Sequence, residues 1–304
     1  MKADKRRFNP SISRYLYIGL LCAVFTVFPL QIFPQQLSSV DFAETLCDGN
    51  VEEKREALFQ IRNLRSDQAS RLAIPALFDS SEIVRATAAS SVIFLPSDEA
   101  AALLIPLLND KADFVRREAA YALGTAASPV ATDALIQRLQ RDKVLEVRSA
   151  SAVALGGIGD VRAIDALITV LKKKPLEDEE FLRRSAARSI GQIAQIIQTG
   201  KSKILTPQNF LSDKYRETEK LTYSSLAAQF SGFRSAVAVL IRVLQNSSEA
   251  YDTRREAAFS LGAIGDPSAS SSLNASLSSE DPYLIQISKE SLLKLFNNKT
   301  LPSC

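Results

Sequence analysis

The sequence predicts an all-α solenoid, a stack of about seven antiparallel helix pairs. Three observations lead there: a recurring phrase, its period, and a second apolar signature at a constant distance from the first. The phrase is Val115-Arg116-x-x-Ala119-Ala120-x-x-Leu123-Gly124, and it returns as Val147-Arg148-x-x-Ser151-Ala152-x-x-Leu155-Gly156. Looser copies stand at Val84-Arg85 with Ala88-Ala89, Leu182-Arg183 with Ala186-Ala187, and Thr253-Arg254 with Ala257-Ala258. Successive arginines are separated by 31, 32, 35 and 71 residues. A period in the thirties marks an array of one supersecondary unit.

Within each phrase the apolar positions fall on one stripe of a helix, and the Ala pairs let a neighbouring helix come close. Gly124, Gly156, Gly191 and Gly262 follow the stripe, where a helix C-terminus favours a residue with no Cβ. Gly159-Asp160 and Gly265-Asp266 then supply a break and an N-cap. The second helix carries Leu pairs at i, i+4: Leu103 and Leu107, Leu135 and Leu139, Leu167 and Leu171, Leu240 and Leu244, Leu273 and Leu277. From the Val position to the first Leu is 19 or 20 residues in four units and 58 in the fifth, which locates an insertion of 38 residues at about 198–232. Glu217 to Phe230 within it reads as a further helix.

These residues resemble the HEAT-repeat family, in particular the short HEAT-like repeats first associated with phycobilisome lyases, over roughly residues 40 to 296. The resemblance implies a right-handed αα superhelix in which the Val-Arg helix is second in its pair and lines the concave face. It fixes no single activity, because such repeats serve scaffolds, adaptors and a few enzymes alike.

Arg85, Arg116, Arg148 and Arg183 form a row, and six residues before each lies an acid: Asp79, Asp110, Asp142 and Glu177. A constant Arg–acid offset predicts pairing that locks helices and repeats together, because guanidinium bonds carboxylate in two places. In the sixth unit Ser248 replaces the acid, so Arg254 is expected to be the free member. The candidate contact residues are instead the variable positions on the same helices. Arg117, Tyr121, Arg184, Arg188, Arg255 and Phe259 are singled out, since aromatic and Arg side chains tend to anchor interfaces.

Residues 1–36 read as a targeting device separate from a repeat array at 37–304. Lys2, Lys5, Arg6, Arg7 and Arg14 stand against Asp4, and Tyr15 to Phe33 carries no charge. That pattern predicts a membrane anchor with the repeats outside the cytoplasm, the alternative being secretion after signal cleavage. The net charge is +3 over the whole chain, and the basic surplus belongs to this segment. A near-neutral remainder argues against nucleic acid, which rests on phosphate neutralisation.

The chain has no His and no Trp. Imidazole metal sites, Ser-His and Cys-His pairs and His acid–base catalysis are thereby excluded. Deoxyhypusine hydroxylase shares the repeat type but holds iron through His-Glu motifs, so that activity is excluded with them. No catalytic residue, metal or cofactor is assigned. The sequence points to a non-catalytic scaffold that binds a protein or peptide along its concave face and meets the membrane through its amino-terminal segment. The alternative is a chromophore-lyase-like or assembly-chaperone protein acting on a protein substrate.

Overall fold

The computed structural model describes residues 39–200 and 224–296. Among them there are helices and no strands, in seven successive pairs. They are α1 (Ser39–Asp48) with α2 (Val51–Asn63), α3 (Asp67–Leu72) with α4 (Glu82–Ser91), and α5 (Ser97–Leu104) with α6 (Asp113–Ala126). Next come α7 (Thr132–Arg141) with α8 (Leu145–Ile158), and α9 (Ile164–Lys172) with α10 (Glu180–Thr199). The short α11 (Leu226–Gln229) leads into α12 (Ser231–Gln245), which pairs with α13 (Tyr251–Ile264), and α14 (Ser270–Ala275) pairs with α15 (Pro282–Phe296).

The even-numbered helices from α2 to α10, followed by α13 and α15, pack one on the next as a continuous layer, while contacts between α7, α9, α12 and α14 are sparser. Tighter packing in one layer curves the stack toward it, so the Val-Arg helices line the concave side. The Leu pairs of the other layer face inward: Leu135, Leu139, Leu167, Leu171, Leu240 and Leu244 are all buried.

Gly124, Gly156, Gly191 and Gly262 do not end their helices, contrary to the sequence expectation. Each lies inside a helix, and the left-handed C-caps fall later, at Gly159 (φ 79°) and Gly265 (φ 74°). The interior glycines allow close approach instead. A Cβ on Gly124 would lie 2.6 Å from Cα of Ala154, and one on Gly157 would lie 2.8 Å from the carbonyl oxygen of Gly124. Gly191 is closed in by Ser260 and Phe259, and Gly262 by Ser291.

The same close approach supports a row of buried serine hydrogen bonds that the sequence reading missed. Ser91 Oγ donates to Leu58 O at 3.0 Å, Ser189 to Ala152 O at 2.8 Å, Ser260 to Ala187 O at 2.7 Å, and Ser291 to Ala258 O at 2.8 Å. Each joins one repeat to the preceding one, seven residues after the phrase's first position.

The arginine row reaches the next repeat. Arg85 bonds both carboxylate oxygens of Asp110 (2.8 and 2.9 Å), and Arg116 those of Asp142 (2.9 and 3.0 Å). The acid six residues back gives its backbone carbonyl to its own Arg: Asp79 O accepts from Arg85 Nη1 at 2.8 Å, and Asp110 O from Arg116 Nη1 at 3.0 Å. Lys54 takes the Arg place in the first pair and meets Asp79 at 2.9 Å. Arg148 meets Glu179 at 3.2 Å, not Glu177, which is exposed; the connection from α9 to α10 runs over 173–179, against 142–144 between α7 and α8, and sets Glu179 at the foot of α10.

Arg183, 1% exposed, bonds Glu249 and also the carbonyls of Val170 (3.0 Å) and Lys173 (2.9 Å) at the end of α9. A cation there complements the negative end of the helix. At the last junction the donor is Arg255, whose Nε and Nη2 bond Asp281 at 2.7 and 2.8 Å. Arg254 is not free: its Nε donates to Leu244 O at 2.9 Å and its guanidinium lies over the Tyr251 ring.

The membrane-anchored localisation is overturned on the structural side: among the described residues no helix is long and apolar enough to cross a membrane. Residues 1–36, on which that expectation and its signal-cleavage alternative rested, lie outside the described residues. So do 201–223 of the insertion; of the helix expected over Glu217 to Phe230, the described part holds only the single turn of α11.

Gly124→Ala is expected to destabilise the fold by about 1–3 kcal/mol through the clash with α8, although Ala is intrinsically favoured in a helix by about 1 kcal/mol. Urea unfolding checks the sign, and a stabilised variant would refute close approach. Asp142→Ala, which leaves half-buried Arg116 without its carboxylate, is expected to cost about 1–3 kcal/mol by the same measurement. For Asp79, Asp110, Asp142 and Asp281, burial opposes ionisation. Their paired cations and backbone N–H donors outweigh it and hold these groups below the ordinary carboxylate value. Their contribution is complete above about pH 4 and is lost as pH falls below it, so an acid-unfolding titration should show the midpoint there.

Candidate functional site

The residues just before and just after each Val-Arg pair emerge on the concave side. Phe114, Phe181 and Tyr283, one residue before the phrase's first position, are exposed there; Phe181 is 46% and Tyr283 47% exposed. Arginines lie over all three rings: Arg117 over Phe114 at 4.9 Å, Arg184 over Phe181 at 5.0 Å, and Arg255 over Tyr283 at 5.0 Å from the centroid. A guanidinium on an aromatic face is attracted by the ring quadrupole and stiffens both groups.

Two adjoining cavities occupy this groove, with Phe181 lining both. The smaller, of about 440 Å³, lies between α6, α8 and α10 and includes Arg117, Tyr121, Ser149 and Asp178. The larger, of about 560 Å³, lies between α8, α10, α13 and α15 and includes Arg184, Arg188, Arg255, Glu256 and Tyr283. Five of the six contact residues read from the sequence are thus brought together along one groove. The sixth is not: Phe259 is 5% exposed, its ring packed beside Gly191 with Lys294 over its face. The interior Gly on α10 leaves a recess that this ring fills, so Phe259 serves packing. Arg255, read as a contact residue, closes the last ladder junction as well as lining the cavity.

The electrostatics of the larger cavity are unusual. Arg184 bonds Asp252 at 2.9 Å, and Arg188 reaches Glu256 Oε1 at 3.4 Å. Glu256 is 5% exposed, and its Oε2 is buried with no hydrogen-bond partner among the described residues. Burial pushes the Glu256 carboxyl up to about 7, with the nearby charges of Arg188 and Arg184 pulling the other way and Asp252 reinforcing the rise. In the smaller cavity burial raises the Tyr121 phenol, so that side chain is neutral at ordinary pH.

The sequence reading missed Phe114, Phe181 and Tyr283 as groove residues. The signal for the aromatics was present, as they recur at one place relative to the phrase. Glu256 stands among the variable positions, but nothing in the sequence signals its burial, which comes from neighbouring helices closing over it. Among the described residues there is no group of three or more His, Cys, Asp or Glu side chains that could hold a metal ion.

A family model described as HEAT repeats matches residues 41–124, 115–191 and 208–293. An engineered protein of known structure is 20% identical with a TM-score of 0.51, covering 86% of this chain and 68% of its own. The complex of CpcE and CpcF of phycocyanin lyase from Nostoc sp. PCC7120 is 21% identical with a TM-score of 0.47, covering 88% of this chain and 98% of its own. Human deoxyhypusine hydroxylase is 20% identical with a TM-score of 0.37, covering 85% and 96%. At 20% identity the first of these likenesses speaks to the fold alone. A comparison with curated proteins finds no match.

The Glu256 carboxyl titrates near 4.5 when unperturbed and near 7 in the fold, so the folded state holds this proton more tightly. Its contribution to stability is therefore best at low pH and declines as pH rises from about 4.5 to about 7. Glu256→Gln should abolish the decline and leave the variant more stable than the parent by roughly 2–3 kcal/mol at about pH 8. Urea unfolding at about pH 5 and about pH 8 measures it; an unchanged pH dependence would count against the buried carboxyl.

Proposed function

The chain belongs to the HEAT-repeat family, and from that premise we propose that it is a non-catalytic interaction scaffold whose concave groove binds a protein or peptide. The observation that carries the reading is the run of Arg-covered aromatic rings at Phe114, Phe181 and Tyr283 beside two cavities that meet at Phe181. Aromatic and Arg side chains are the types that carry most binding energy when a partner desolvates them. Here they are held by rigid helices, so little conformational entropy is lost on binding. Arg117, Tyr121, Arg184, Arg188 and Arg255 are the contact residues this reading retains. Phe259 leaves the set, and Phe114, Phe181 and Tyr283 join it.

The ladder residues serve the frame in the same reading. Arg85, Arg116, Arg148 and Arg183 spend their donors on neighbouring repeats and on carbonyls, which leaves them poorly placed to recognise a ligand.

A photocrosslinking amino acid placed at Tyr121 or Phe181 should give discrete protein adducts in cells, whereas one at Phe78, beside the outer layer, should not. Adducts from Phe78 alone, or equal adducts from all three sites, would defeat the groove assignment. Combining Tyr121→Ala with Phe181→Ala should weaken capture of the crosslinked partner by about 2–4 kcal/mol, equivalent to a rise in Kd of at least thirtyfold, checked by calorimetry.

A further inference from the structure

The larger cavity of the groove is built for more than general stickiness. Arg184, Arg188 and Arg255 line it, and Asp252 and Glu256 line it with them. Arg255 is committed to Asp281, which is buried behind it, and its Nη1 bonds Asp252 at 2.6 Å, so that Asp252 is shared with Arg184. Each guanidinium carries five N–H donors. Arg184 spends one on Asp252 and Arg188 one, at long range, on Glu256. The cavity therefore holds donors in excess of acceptors. Beside them, Val153, Phe181 and Ile287 form an apolar wall.

Glu256 is the second, independent feature. A buried carboxyl oxygen with no partner costs free energy in either protonation state, as an acceptor without a donor or as an O–H without an acceptor. With Glu256 ionised, the three arginines are balanced by Asp252, Asp281 and Glu256. With Glu256 protonated, the cavity carries one positive charge in excess, the hold on Arg188 is weakened, and the new O–H needs an acceptor. A ligand group that is anionic and accepts several hydrogen bonds answers all three demands; a cation answers none, since it would face three arginines.

We propose that this cavity binds a carboxylate of the partner, an Asp or Glu side chain, between Arg184, Arg188 and the Glu256 carboxyl, with an adjoining apolar residue against Phe181 and Ile287. The proposal rests on the concave-groove reading and specifies the class of partner: an acidic peptide. Binding is coupled to proton uptake by Glu256. The charged and titratable groups around Glu256 are Arg184 and Arg188 from α10, Asp252 and Arg255 from α13 itself, and Tyr283 from α15; α12 contributes none of the lining residues. No His exists to titrate alongside it.

The test uses the whole protein and fluorescent octapeptides that alternate Leu with Glu, with Gln or with Lys. The Glu peptide is expected to bind at least tenfold more tightly than the Gln peptide at about pH 6, and about tenfold more weakly at about pH 8 than at about pH 6. Glu256→Gln should keep the tight binding and lose the pH dependence. Arg188→Gln should lose the preference for Glu over Gln at about pH 6 while keeping a single cooperative unfolding transition. Equal affinity for the Glu and Gln peptides, or preference for the Lys peptide, overturns the proposal. The groove reading would survive that result if adducts still form at Tyr121, and would fall separately if they do not.

Discussion

The concave layer is held by contact between helix backbones at distances that only small side chains permit. At Gly124, Gly156, Gly191 and Gly262 a methyl group would collide with the next helix of the layer. Because these glycines recur on α6, α8, α10 and α13, each of these inner helices settles at nearly the same depth against the next, and the curvature accumulates from one pair to the next. The buried serines follow from this closeness, since an Oγ on one helix can reach the carbonyl of another only when the two nearly touch. The groove, with its aromatic rings and cavities, is the open face of that curved layer.

The charged ladder depends on the same spacing and does a different task. A buried ion pair adds little net stability relative to a well-packed apolar substitute, but a repeat that stacked out of register would strand a buried charge at large cost. The carboxylates also shape the chain locally: Asp110 accepts from Ala112 N at 2.9 Å and Asp142 from Val144 N at 3.0 Å, turning the chain into the inner helix. One side chain thus sets both the start of its own helix and the position of the preceding repeat. Packing fixes how close the helices lie, and charge fixes which helix lies there.

Most of this frame was legible in the sequence because it is written once per repeat. The Val-Arg phrase located the inner helices, and the Leu pairs located the outer ones. What escaped was whatever depends on three-dimensional neighbours. An acid at a constant offset of six signalled a ladder, yet the offset marks a backbone contact, and the carboxylate reaches back to the Arg of the preceding repeat. The interior glycines were read as helix ends because a Gly after an apolar stripe has two physical uses, and only the neighbour's position distinguishes them. In the groove, Arg117, Tyr121, Arg184, Arg188 and Arg255 were found by looking where the phrase varies. The same rule placed Phe259 wrongly, since it knows nothing of the recess beside Gly191. Glu256 falls among the same varying positions, but its raised affinity for a proton could not be read there, since that belongs to the closure of α10 and α15 over it.

The ladder also gives the stack a direction. Every unit hands a cation to the one that follows, from Lys54 at the first junction to Arg255 at the last. In α15 the corresponding places are filled by Ile285 and Gln286, which carry no charge to pass on. A repeat array has a head and a tail, and copies that could stack head to tail would grow into an open filament. The acid of another copy arriving at α15 would find no guanidinium waiting, and burying it there would be unfavourable. The relay that orders the repeats therefore stops at α15, which at these two places offers no guanidinium to a following acid.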